Sequence, residues 1–507
     1  MVSGIRGEEM AKIIYVPLDE RPCNLVFPQD LFNQKDIQII VPPDDLLPYK
    51  TKSADVDGLF EFLLKESKNA DGLVVSMDML LYGGLVPSRI HELSTETIKE
   101  RHELIKELKK QNPKLQIYAF QIIMRCPQYN GADEEPLYYK DYGRNIFLTG
   151  YYEHKMKLGR LSAEEKANYE SLVVPAEHLN NFVSRRQKNL SFNLLSLNLV
   201  KDNAIDFMIM CQDDASEFGY PAMDQAVVTT AIKESHLSLK VYAYSGADEL
   251  GVIMVSRMVN RLKGKTPKFY LKYPSPTTPM VVPCLEDRAL DNSVKYQIIS
   301  AGGIIVSSLA EADICILILM GATKMFPRVV KNDREIDVLV NLIEAFEFIK
   351  FASKTHPVVI ADLFYLNAGS TEVLNLIKES GLLMDVAAYA GWNTAANAFG
   401  TAVAQGIAYY LFGNTDAHIR FLIKRYIEDV GYCGVVRSSV SKKIESIGFD
   451  YFHAGEKRGV VAYMVKDELL DFIDEYLSEI KNKFNLINVE LPWKRMFEVG
   501  FDIELKD

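Results

Sequence analysis

Acidic residues gather where the apolar runs of this chain stop. DFMIMC (206–211) runs into Gln212, Asp213, Asp214 and Glu217, and LKVYAY (239–244) into Ser245, Gly246, Asp248 and Glu249. KIIYV (12–16) leads to Asp19, Glu20 and Arg21, DGLVVS (71–76) to Asp78, and LQIYAFQII (115–123) to Arg125. Neighbouring carboxylates in a cleft resist joint ionisation, so one keeps its proton and an acid stands beside a base at neutral pH. Cleavage of a glycosidic bond needs that pair: one carboxyl protonates the leaving oxygen, while the other attacks, activates water or steadies a substrate group that attacks internally. The adjacent Asp213 and Asp214 suit the last arrangement, with Asp213 polarising an acetamido group and Asp214 serving as acid and base. Glu249 and Asp248 form the reserve acid or nucleophile. Asp19, Glu20, Arg21, Asp78 and Arg125 are read as substrate binders.

Structural readings compete at several of these positions. Asp214 and Glu217 have the spacing of a capping box, so Asp214 would only start a helix. Asp248 is an equally good N-cap, which leaves Glu249 as the functional group of that turn. Arg89 and Arg125 follow strands and either neutralise the acidic rim or receive an anionic, carboxylate-bearing substrate. A magnesium or manganese ion held by Asp19, Asp78 and Asp213 is the alternative use of the same carboxylates, since hard cations accept oxygen ligands alone. The eight histidines are scattered, and none directly ends an N-terminal strand, so no metal site of the zinc type is expected. There is no GxxxxGK[ST], no strand-linked GxGxxG and no GxSxG, hence no nucleotide cofactor and no serine nucleophile.

A second constellation lies in AYAGWNTAANAFGTAVAQGIAYYL (388–411). The small residues allow close helix packing, but they do not account for Trp392 and Asn393. One of only two tryptophans, beside an amide at a strand end, suits a sugar whose face stacks on the indole and whose hydroxyl meets the amide. Asp362 and Asn367 follow the preceding strand, PVVIADL (357–363), and are candidates to join them.

The elements that must position these residues are short apolar runs alternating with amphipathic stretches, the pattern of parallel strands joined by helices. The fold class is therefore α/β. The N-terminal part, 11–275, is expected as a (β/α) barrel or a doubly wound open sheet, with the barrel favoured. Within it, TETIKERHELIKELKKQ (95–111) reads as a surface helix with Ile98, Leu104, Ile105 and Leu108 inward. NGADEEPLYYKDYGRN (130–145) reads as a substrate-covering loop. Four prolines between 274 and 283 suggest a crossover and place a boundary there. A second, smaller α/β domain follows at 276–410, with strands from GGIIVSS (302–308), ADICILILM (312–320) and MDVAAYAG (384–391), and then a mostly helical region at 411–507. VPLDERPCN (16–24) is faintly echoed by VPCLEDRAL (282–290).

Composition limits the partners. At 507 residues, with 48% hydrophobic and 25% charged side chains, the chain has the make-up of compact globular domains and not of a disordered or fibrous protein. Its 57 Lys and Arg against 68 Asp and Glu leave a net charge of −11, which lacks the footprint that a phosphate backbone requires, so nucleic acid is not expected as a partner. Six isolated cysteines without a CxxC pair fit a reducing compartment. Charges occupy the N-terminus where a secretory segment is apolar, and windows such as ICILILMGA fall short of the roughly 20 residues of a membrane span. A cytoplasmic location with no membrane partner is the expectation; the sequence sets no oligomeric state.

PLDERPCN (17–24), SMDMLLYGGLVPSR (76–89), QDDASEFG (212–219), SGADELG (245–251) and AGWNTAANAFGTA (390–402) together resemble the bacterial domain-of-unknown-function family 4127, across nearly the whole chain. The resemblance implies that these strand-end segments belong together in one bacterial protein, and it implies no activity. The Asp213 and Asp214 pair is similar to the substrate-assisted hexosaminidases by chemical analogy only, over a few residues. The combined expectation is a glycoside hydrolase acting on a small glycoside or oligosaccharide between the two α/β domains. The alternatives are a Mg- or Mn-dependent hydrolase or lyase and a non-catalytic sugar-binding or sensing protein.

Overall fold

A computed structural model describes residues 10–330 and 334–506; the charged N-terminal stretch lies outside them as far as residue 9. Two parallel sheets organise the chain. The first contains β1 (Ala11–Val16), β2 (Ile37–Ile40), β3 (Gly72–Ser76), β4 (Gln116–Ile123), β5 (Phe207–Gln212) and β6 (Val241–Ser245) in the order β2-β1-β3-β4-β5-β6. The second contains β7 (Lys268–Lys272), β8 (Ile304–Ile305), β9 (Ile314–Leu319), β10 (Val358–Asp362) and β11 (Ala388–Ala390) in the order β11-β10-β9-β7-β8. An antiparallel pair, β12 (Phe484–Glu490) and β13 (Gly500–Leu505), stands in the C-terminal stretch.

The strands form where the apolar runs predicted them because central parallel strands are buried on both faces. Every residue of β3, β5, β9 and β10 is buried. The favoured barrel is not what the first sheet forms. Its ends are β2 and β6, which do not pair among the described residues, so the sheet is open. Both architectures use the same β/α alternation, and only the pairing of the first strand with its neighbours decides between them. Here β1 sits between β2 and β3, which makes the β1/β3 gap the switch point where ligands meet such sheets.

Counted within the second sheet, the order is 2-1-3-4-5, the order of the first five strands of the first sheet. The echoing segments VPLDERPCN and VPCLEDRAL both come after the first strand of their sheet. KFYLKYP, ahead of the proline-rich stretch, supplies β7 and pairs with β8 and β9.

The contacts divide the chain into two compact units. The first is 1–20, 32–258 and 285–287; the second is 21–31, 259–284 and 288–507. In the first, Ile14, Val16, Leu73, Val75, Ile117, Ala119, Met208 and Met210 form one face of the sheet and pack beneath the helices. Gly251 is required there, since a Cβ would lie 2.0 Å from the Tyr15 hydroxyl. The helix Thr95–Gln111 forms as read, but Leu104 is exposed and His102 is buried in its place. From Ile98 a helix turns its inward face through positions 102, 105 and 108, leaving 104 outside.

In the second unit the core runs from β9 and β10 through the C-terminal helices to β12 and β13. The segment Tyr426–Val436 is wound as a π-helix. Among the described residues no helix is long and apolar enough to cross a membrane, and all six cysteines are free thiols.

Candidate functional site

The carboxyl ends of β3, β4 and β5 converge on two arginines. Ser76 ends β3 and caps the helix Met77–Tyr82 by accepting the Met79 N–H. The chain then turns at Gly83 and Gly84, both at positive φ, into the helix Leu85–Ile90, which carries Arg89. Two consecutive glycines allow a reversal that side-chain-bearing residues would oppose. Arg125 follows β4, and its backbone is held by Arg186 of the long helix Ala176–Lys201, which donates to the Arg125 and Met124 carbonyls.

Arg89 donates to Glu134 and to Asp213, each at 2.6 Å. Arg125 donates through Nε to Glu135 at 2.8 Å, through Nη1 to Asp214 at 3.0 Å and through Nη2 to Glu134 at 3.1 Å. Glu134 Oε2 therefore bridges the two guanidiniums. Both arginines are buried, so they act in a medium where charge-assisted hydrogen bonds are strong. The closeness of Asp213 and Asp214, together with burial, favours a retained proton. Burial, with Asp213 beside it, pushes Asp214 up to about 6 in spite of Arg125 and Arg89. Burial likewise raises Glu135, whose Oε2 is without a hydrogen-bond partner.

Asp78 lies within electrostatic reach of Arg89 and Asp213. It accepts the Ile122 N–H at 2.8 Å, yet burial pushes it up to about 7. A carboxyl that holds its proton more tightly folded than unfolded loses stability as pH rises from its ordinary range towards that value. Asp78→Asn is therefore expected to shrink the loss of thermal stability between about pH 5 and about pH 8. An unchanged loss in that variant would show that Asp78 is not linked to a proton.

The expected residues divide into groups. Asp213, Asp214, Asp78 and Arg125 are brought together. Asp214 is not a helix cap: the helix opens at Tyr220 behind Gly219, and Asp214 itself sits at φ 44°. Such a backbone in a non-glycine residue costs free energy and is concentrated at functional sites. Its successor Ala215 donates to the carbonyl of Leu285, also at positive φ (62°). Asp287, two residues on, accepts from Ser245 at the end of β6 at 2.6 Å. Glu249 is fully buried and folds back on its own turn, accepting the Ala247 N–H at 2.9 Å, and Asp248 is buried beside it. Asp19 is buried after β1, and Glu20 accepts the Lys50 N–H at 2.8 Å.

Glu134 and Glu135 are the residues that single-site reasoning missed, although the segment containing them stood out. The signal was an acidic pair nine residues after Arg125 in a stretch otherwise rich in tyrosine. Gln212, directly before Asp213, is buried with both polar atoms of its amide unpartnered.

Arg21, Trp392 and Asn393 belong to the second unit and line one cleft there, with Asn367, Glu428, Cys433, Arg437, Phe497 and Glu498. The cleft is small, with about 20 Å³ of space for a water-sized sphere, little more than one water needs. Trp392 is positioned by its indole N–H, which donates to Thr401 at 3.1 Å, and by an edge-to-face contact with Phe27 at 5.9 Å. Asn393 and Asn367 both take positive φ, 58° and 63°, and the Asn367 N–H donates to the Asn393 carbonyl at 2.8 Å. The wide π turn brings Glu428 and Cys433, five residues apart, to the same cleft, a winding often found at functional sites. Asp362 faces inward instead, accepting from Ser370 N–H and the Tyr389 hydroxyl at 2.6 and 2.8 Å.

No curated protein matches the chain. Among solved structures it is similar to MfFcnA4, an endo-fucoidan hydrolase from glycoside hydrolase family 107, at 12% identity over 71% of this chain and 53% of that one, with a TM-score of 0.20. It is also similar to MfFcnA9, an endo-fucoidan hydrolase of the same family, at 13% identity over 69% and 64%, with a TM-score of 0.19. The chain thus spans less than two thirds of either, and at these scores the likeness supports neither a shared fold nor a shared reaction. The family described as a protein of unknown function, DUF4127, matches residues 13–502. With the match running from β1 to β13 and taking in both sites, the chain belongs to the DUF4127 family.

Proposed function

We propose that the first unit is the catalytic part of a hydrolase that cleaves a glycosidic bond in a small carbohydrate. The observation that carries this reading is the unequal pair at the end of β5: Asp213 on Arg89 at 2.6 Å, and Asp214 beside it raised to about 6. Asp214 gives its proton to the leaving oxygen as the bond from that oxygen to the anomeric carbon breaks. Asp213, fixed by Arg89, polarises the acetamido group of an N-acetyl amino sugar, whose oxygen forms the new bond to the anomeric carbon. Water then opens that ring, passing a proton to Asp214 and restoring the acid.

The test is turnover on a panel of N-acetylhexosaminides and plain hexosides, as nitrophenyl glycosides and as disaccharides, with and without a chelator. The reading expects hydrolysis of an N-acetylhexosaminide that the chelator leaves unchanged. Failure of the whole panel would overturn it. Loss of turnover on chelation, restored by magnesium or manganese, would transfer the same carboxylates to a metal-dependent reaction.

A further inference from the structure

Glu134 stands between the two arginines that hold the carboxyl pair, and no step of the proposed reaction uses it. Its Oε2 accepts from Arg89 Nη1 at 2.6 Å and from Arg125 Nη2 at 3.1 Å. The same Arg89 gives Nη2 to Asp213, and the same Arg125 gives Nη1 to Asp214. Each guanidinium therefore carries Glu134 on one amino group and a member of the pair on the other. Among the described residues Glu134 is the only one that accepts from both arginines. The loop that brings it there is tied on both sides of it, by Lys50 on Asp133 and by Arg125 Nε on Glu135 at 2.8 Å.

A guanidinium beside an aspartate favours the ionised form, and a second carboxylate favours the proton. Glu134 acts on Asp214 in both senses, because its own charge repels a negative Asp214 and because it takes up part of the field of the two arginines. One unit charge at such range moves a carboxyl by about one pH unit or more. The other charges around Asp214 come from each element packed against it. Asp213 precedes it, Arg89 and Arg125 lie after β3 and β4, and Tyr129 and Glu135 come from the loop. On the remaining side Ala215 donates to the Leu285 carbonyl, and the next two residues are Glu286, which is buried, and Asp287, which accepts from Ser245. We infer that Glu134 is a positioning residue of the proposed reaction, which keeps the proton on Asp214 by occupying both guanidiniums. The inference rests on Asp214 being the acid.

The titration of Asp214 is read without substrate, from its carboxyl carbon in protein labelled with carbon-13 at aspartate, and its signal is assigned by its absence from Asp214→Asn. The expected result is a midpoint of about 6 in wild type that falls by about one pH unit in Glu134→Gln, which keeps an acceptor oxygen but not the charge. Glu134→Ala, which removes the bridge altogether, should move it in the same direction. On any N-acetylhexosaminide that is turned over, the alkaline fall of kcat/KM should move to lower pH with the midpoint, whereas a merely structural role would lower activity at every pH and leave the fall in place. A midpoint that stays where it is or rises in the variants, or one in the ordinary carboxylate range in wild type, would overturn the inference. Absence of turnover leaves the carbon-13 titration untouched, so a failed reaction and a failed coupling are seen separately.

Discussion

Replacing Asp214 with asparagine is expected to lower kcat/KM on a disaccharide by about 10²- to 10⁴-fold, the range associated with a lost general acid. The loss follows from the one carboxyl in the cluster that is both partly reachable by solvent and raised into the working range. Its side chain keeps 19% exposure while bonded to Arg125 at 3.0 Å, and it is raised to about 6. An acid of that strength must be protonated to work, so wild-type activity should fall as pH rises through about 6, and that alkaline fall should disappear in Asp214→Asn. Asp213→Asn should lose a comparable factor and move the alkaline fall to lower pH, since the neighbouring charge that helps Asp214 hold its proton is gone. If each variant stays within about tenfold of wild type, neither carboxyl has the role given to it.

Arg125→Met should destabilise the first unit by about 3–5 kcal/mol, the usual cost of leaving a buried charge without its partner. Its guanidinium meets Glu135, Glu134 and Asp214, and the Glu135 side chain is only 1% exposed. Protonation limits the damage. Without Arg125 the carboxyls bind protons more tightly folded than unfolded, so stability of the variant falls more steeply than that of wild type as pH rises above the ordinary carboxylate range. Thermal or urea unfolding at about pH 5 and about pH 8 should therefore show the smaller deficit at the acid end. An unfolding midpoint indistinguishable from wild type at both would mean that the arginine-carboxylate cluster is a solvated surface network.

Much of the fold was legible because its strands announce themselves locally. Runs such as FMIMCQ and ICILIL are buried on both faces, and a continuous apolar run bounded by polar turns has few other readings. Strand order was not legible, because nothing in KIIYV tells whether it lies inside an open sheet or closes a barrel. The acidic strand ends were visible, and so was the suspicion that Arg89 and Arg125 answer them. That Glu134 and Glu135 complete the cluster was hidden, since the loop between Arg125 and the helix Tyr139–Lys157 has no periodicity from which to place a side chain. Asp214 shows a local signal being overruled: the capping-box spacing was present, but Gly219 and Pro221 offered a helix start five residues later. Leu104 and His102 show the converse, helical geometry choosing a histidine for the inward face over a leucine two positions on. The π winding of Tyr426–Val436 has no sequence signature at all, because its i to i+5 bonding is imposed by packing and not by residue preference.

The acid role of Asp214 is tested most directly by the dependence of the Asp214→Asn defect on the leaving group. Wild type and variant are compared on an N-acetylhexosaminide with a phenol that departs without help and on one whose leaving alcohol must be protonated. The account predicts near-normal formation of the first product with the activated phenol and a loss of about 10²-fold or more with the alcohol. An equal loss on both substrates would contradict it, because a residue that donates no proton to the leaving oxygen cannot distinguish between them.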